Sequence, residues 1–89
     1  MSSVYEAHTL VIKAAADALD RHGPLTHDVS RALHILAEEV GEAHQAYLGM
    51  TRLKPSNTVG ALIHELAQVA ATAELILANL IEEREQGVV

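Results

Sequence analysis

The sequence predicts an all-α subunit of three helices, and three observations predict it. Apolar residues recur with a helical period along most of the chain, and no stretch alternates as a half-buried strand would. Two breaks, His22-Gly23-Pro24 and the stretch from Gly49 to Asn57 with Pro55, divide the 89 residues into three segments. Apolar residues make up 49% of the chain, yet there is no Phe or Trp, so Ala, Leu, Ile and Val must build the core. Such a core suits closely packed helices. The length fits one domain, residues 1–89, and leaves little room for a second.

The first segment, about Val4 to Arg21, carries apolar residues at 4, 7, 11, 12, 15, 18 and 19. The second takes Thr26 or Asp28 as its N-cap and runs to Leu48, with Gly49 as its stop. The third, capped by Ser56 or Asn57, runs to about Gln86 before Gly87. At the α-helical rise this last helix would be about 45 Å long. It is long enough to bend or break, with Gly60 as a weak point.

The third segment is apolar on more than one side. Leu62, Val69, Ile76 and Leu80 form one stripe, and Ile63, Leu66, Ala70, Leu77 and Ile81 form an adjoining one. A helix this broadly apolar must be covered from several directions. Two short neighbours can hardly do so, which predicts a second subunit. The alanine-rich first segment can pack closely against the third.

Other features exclude whole classes of function. A net charge of -6 argues against nucleic-acid binding through a basic surface. The absence of cysteine excludes disulfides and thiolate metal sites. Met1 to Ala18 has no basic start followed by an apolar run, so no signal peptide is expected. No apolar run approaches a membrane span on this reading, and a cytoplasmic location is the default expectation.

The stretch LAEEVGEAHQAYLG (Leu36 to Gly49) places three glutamates inside a helix otherwise patterned for burial. With Glu39 at zero on a helical wheel, Ala32, Leu36 and Ala43 lie within roughly 60° on one side, and Ile35 and Ala46 within about 40° on the other. Glu39 is therefore in the apolar stripe itself. Glu42, one turn on, flanks it, and Glu38 lies further out. The third segment repeats the arrangement, with Glu65 between Leu62, Val69 and Ile76 on one side and Ala61 on the other. Gln68, Thr72 and Asn79 fall on the same edge, whereas Glu74, Glu82, Glu83 and Glu85 read as solvated charges.

A carboxylate facing a helical core costs several kcal/mol unless it is paired, protonated or bound to metal. Inward glutamates on two helices, each with a further oxygen ligand one turn on, would cage a hard divalent cation such as Mg²⁺. Salt bridges to Arg31, Arg52 or Lys13 are the competing account.

Glu38-Glu39-x-x-Glu42, followed by Glu65-x-x-Gln68, resembles the EExxE…ExxD signature of MazG-like, all-α nucleoside triphosphate pyrophosphohydrolases. The surrounding LAEEVGEA and HELAQVAATA also look like the second and third helices of that family, and the likeness covers about Leu33 to Asn79. It implies a homo-dimer or homo-tetramer with a shared four-helix-bundle core. It also implies hydrolysis of (d)NTPs, including non-standard ones, to the monophosphate and pyrophosphate, as a house-cleaning activity. By this matching Glu39, Glu42, Glu65 and Gln68 are the ligands of Mg²⁺, with Mn²⁺ as the substitute, and Glu38 orients or deprotonates the attacking water. The family's Asp is Gln68 here, which offers a carbonyl oxygen but no charge and predicts weaker metal binding. A catalytically weak or inactive helical oligomer that binds nucleotides or a protein partner is the alternative.

Lys54, in the loop before the third segment, is a candidate for substrate phosphates or simply a solvated lysine. Thr72 and Asn79 are candidates for base or sugar, or polar residues satisfied by a neighbouring helix. His64-Glu65-Leu66-Ala67-Gln68 lacks the second His of an HExxH zinc site, and His34 and His44 lie away from the Glu39 stripe, so the six histidines are expected mostly at the surface.

Overall fold

The computed structural model describes residues 2–49 and 59–87. They form three helices, α1 (Ser2–His22), α2 (Val29–Leu48) and α3 (Val59–Glu85), with no strand among the described residues. The all-α organisation expected from periodicity is the one found.

Local chemistry sets the helix ends. Gly23 has φ 73°, and its N–H donates to the Leu19 carbonyl at 2.9 Å, which closes α1 with a left-handed glycine cap. Asp28 is the N-cap of α2, its carboxylate accepting from the Arg31 N–H at 3.2 Å. Thr26 supports it, since its hydroxyl accepts from the Asp28 N–H. Gly49 follows the last residue of α2 in a right-handed conformation (φ -61°, ψ -40°), so this glycine stop works without left-handed geometry. The proposed caps Ser56 and Asn57 lie outside the described residues. α3 continues for 27 residues without a break, because Gly60 sits in its first turn, where a weak spot interrupts little.

Both α1 and α2 pack against α3. Glu65, near the start of α3, meets the second half of α2, and Asn79, near the end of α3, meets the segment just before α2. The α2–α3 pair is therefore antiparallel. Asn79 Nδ2 donates to the carbonyls of Leu25 and Thr26, both at 3.3 Å, and ties the end of α3 to the α1–α2 connection.

The buried apolar residues among those described are Ala15, Ala32, Ala43, Ala71 and Ile76. Alanines at the crossings let the backbones approach, but they enclose little volume. The accessible surface of 6591 Å² exceeds the roughly 5,000 Å² expected of a compact monomer of this mass. The radius of gyration, 14.9 Å, likewise exceeds the roughly 12 Å expected for this length. Ile63, Leu66, Leu77 and Ile81 of α3 are exposed, together with Leu33, Val40 and Tyr47 of α2.

By length and composition alone α3 can cross a membrane, with an 18-residue window of mean hydropathy 1.4. The expectation that no apolar run approaches a span is corrected on this helix, whose 18-residue apolar window holds no more than two charged residues.

Candidate metal centre

Glu39 and Glu42 stand one turn apart on α2, and Glu65 faces them from α3. Each offers one carboxylate oxygen such that all three atoms lie within 4.8 Å of one another. Glu39 and Glu65 are half-buried and Glu42 is exposed. The wheel positions explain the convergence. Glu39 and Glu65 each interrupt the apolar stripe that binds α2 to α3, so closing the antiparallel pair brings them together.

This proximity disfavours charge. Burial pushes the Glu39 carboxyl above its ordinary value, and the neighbouring Glu42 and Glu65, a hydrogen bond with Glu42, and Glu38 raise it further. The competing salt-bridge account loses two of its three cations. Neither Arg31 nor Lys13 forms an ion pair with these glutamates, and Arg52 lies outside the described residues. The ion pair among the described residues is Arg21–Asp17, on α1. A set of three hard oxygen donors without a cationic partner suits Mg²⁺ or Mn²⁺ better than a soft metal.

Cavities flank the cluster on both sides. One, of about 260 Å³, is bounded by all three helices and lined by Glu39, Gln68 and Thr72, together with Asp17, Arg21 and His22. The other, open and about 640 Å³, is lined by Glu42, Glu65, Gln45, Ala46 and Ala61. The structure thus brings Gln68 and Thr72 to the cavity of Glu39. Glu38 is exposed and lies close enough to act on the Glu39 charge. Asn79 is half-buried, with its amide nitrogen engaged by the α1–α2 connection. Lys54 lies outside the described residues.

The other charges fall mostly where the sequence puts them. All six histidines are exposed, as are Glu74, Glu82 and Glu85. Glu83 is the correction: it is half-buried, and its Oε2 is shielded from solvent without a hydrogen-bond partner. Its position on α3, 18 residues and five turns beyond Glu65, returns it to the same side of the helix.

Sequence reasoning missed Asp17, Arg21 and His22 as neighbours of the site. Periodicity reveals which α1 residues share a face, but not that this face closes over α3 beside Glu39. No protein-family model, curated protein or solved structure matches the chain.

Proposed function

We propose that this chain is a Mg²⁺-dependent nucleoside triphosphate pyrophosphohydrolase of the MazG-like kind, working as a homo-dimer or homo-tetramer in the cytoplasm. The observation that carries the reading is the convergence of Glu39, Glu42 and Glu65 from two helices, with no ion pair to any of them among the described residues. The sequence pattern EEVGE…ELAQ supports it independently.

Glu39, Glu42 and Glu65 would hold the metal, with the Gln68 carbonyl oxygen as a neutral fourth donor. When bound, Mg²⁺ would screen phosphate charge and favour departure of pyrophosphate. Glu38, exposed beside the cluster, takes the proton of a water whose oxygen bonds to the α-phosphorus. The bond from that phosphorus to the oxygen bridging to the β-phosphate breaks, and its electron pair leaves with pyrophosphate. Thr72 would contact the substrate, a reading supported by the cavity wall it shares with Glu39. The exposed apolar residues of α2 and α3 supply the surface for a second copy, which would complete a four-helix core.

A pyrophosphate-release screen over standard and modified (d)NTPs with Mg²⁺ or Mn²⁺ tests the reading. Release of pyrophosphate and a monophosphate from at least one substrate is expected, and silence across the panel with both metals overturns it.

Gln68 favours a second reading, because an uncharged residue stands on the wall of the Glu39 cavity. A helical oligomer that binds nucleotides, or a protein partner, without turnover would be stabilised by Mg²⁺ and nucleotide together, yet release no pyrophosphate.

A further inference from the structure

Along α1, Lys13, Asp17 and Arg21 follow one another at four-residue spacing and share one face. All three line a cleft of about 530 Å³ between α1 and α3, within the roughly 300–1,000 Å³ typical of small-molecule sites. This cleft shares Asp17, Arg21 and Gln68 with the smaller cavity that has Glu39 on its wall. The two spaces therefore adjoin and lead from the α1 cations to the acidic cluster.

The charges on the two sides of the cluster differ. The 640 Å³ cavity beside Glu42 and Glu65 has no Lys or Arg among its lining residues. The α1 side has Lys13 and Arg21, in a chain with only six Lys and Arg in all. An anion approaching three carboxylates is repelled unless a cation on the approach offsets them. A guanidinium does this with direction as well as charge, because its planar fork can donate to two phosphate oxygens.

Arg21 is also held in place. Its Nε lies 3.3 Å from Asp17 Oδ2, and both side chains are largely exposed (70% and 51%). An exposed pair of this kind adds little to stability. It does tether the guanidinium to the α1 wall, and four of the five N–H donors are not on Nε.

We propose that Arg21, with Lys13 farther along the same cleft, is a positioning residue for the phosphate tail of a nucleotide that reaches Glu39 from the α1 side. The proposal rests on the pyrophosphohydrolase reading, and it names the wall along which the substrate lies. Asp17 orients the guanidinium, and Lys13 adds a point charge. Lost charge-assisted hydrogen bonds should therefore appear in the binding of phosphate, not of metal.

Calorimetric titration of the full chain with Mg²⁺ alone, and then with inorganic tripolyphosphate in the presence of Mg²⁺, tests it alongside steady-state hydrolysis. Arg21→Gln should weaken tripolyphosphate binding by at least about tenfold, the order expected for a lost charge-assisted hydrogen bond. It should raise KM more than it lowers kcat, while Mg²⁺ binding and the thermal melt stay as in the wild type. Arg21→Lys should recover part of the affinity, and Arg84→Gln, which lines neither cavity, should change nothing. If the wild type binds and hydrolyses while Arg21→Gln matches it in both assays, the inference falls and the function stands. If the wild type binds neither Mg²⁺ nor tripolyphosphate and releases no pyrophosphate, both fall together.

Discussion

Two long faces of α3 depart from the usual arrangement of a soluble helix in opposite ways. The face toward α2 carries Glu65, Gln68, Thr72 and Asn79, all half-buried. Another face carries Ile63, Leu66, Leu77 and Ile81, all exposed, with Leu77 at 57%, although Ile63 and Leu66 border a cleft with α1. Half-buried polar groups thus sit beside the buried Ala71 and Ile76, while large apolar groups lie exposed on the same 27 residues. Neither side is at rest in an isolated chain, and each lacks a different thing. The inner cluster has no ion-pairing cation among the described residues, and on the proposed function a divalent cation would supply that charge. The outer face lacks cover, which on the same proposal a second subunit would supply. Asn79 shows that the inner face is not uniform, because its partners are already present in the α1–α2 connection.

The comparison breaks first on activity. Glu39→Gln or Glu65→Gln should lower Mg²⁺-dependent pyrophosphate release by more than about 100-fold, since even the residues that support metal ligands cost 10–100-fold when replaced. Glu74→Gln, on the exposed side of α3, is the control and should leave the rate unchanged. Wild-type rates in either of the first two variants would remove that residue from the site.

The outer face is tested by Leu77→Glu, which puts a charge into the exposed stripe. Light scattering at micromolar concentration should show an oligomer for the wild type and a monomer for the variant, because a buried unpaired carboxylate costs several kcal/mol. A wild type that is already monomeric would mean that the exposed stripe is not a subunit interface.

A smaller effect separates the faces from the crossing between them. Ala71 is 2% exposed, so Ala71→Leu should destabilise the fold by about 1–3 kcal/mol through overpacking, measured by chemical denaturation. The same change at the exposed Ala73 should have almost no effect on the fold of the subunit.

The smallest effect is a pH dependence of the metal-free protein. Glu39 has a raised carboxyl pKa in the folded state, so its protonated form favours folding. That contribution is fully present below the unfolded value and is lost as pH rises through the folded one. The metal-free wild type should therefore gain stability, relative to Glu39→Gln, as pH falls from neutral into the carboxylate range. Saturating Mg²⁺ should shrink or reverse that gain, because metal binds the ionised form. Parallel pH series of thermal melts with and without Mg²⁺ check both signs, and identical slopes in wild type and variant would place Glu39 outside the strained cluster.

Much of this was legible in the chain itself. The 3.6-residue period, the His22-Gly23-Pro24 break and the Asp28 cap specify the first two helices, because each acts within a few residues of itself. The inward aim of Glu39 and Glu65 follows from the same wheel, as does the doubled apolar surface of α3. Other properties have no local cause. That Glu39 meets Glu65 at all depends on the antiparallel register of α2 on α3, and the solvent-shielded oxygen of Glu83 depends on what lies against the end of α3. Asp17 and Arg21 reach the neighbourhood of the cluster only because α1 lies against α3. Sequence alone determined the three helices and the faces they present, since backbone hydrogen bonds and side-chain period are local. Tertiary structure alone decided which faces meet, because packing is a choice among several apolar stripes that the period leaves equivalent.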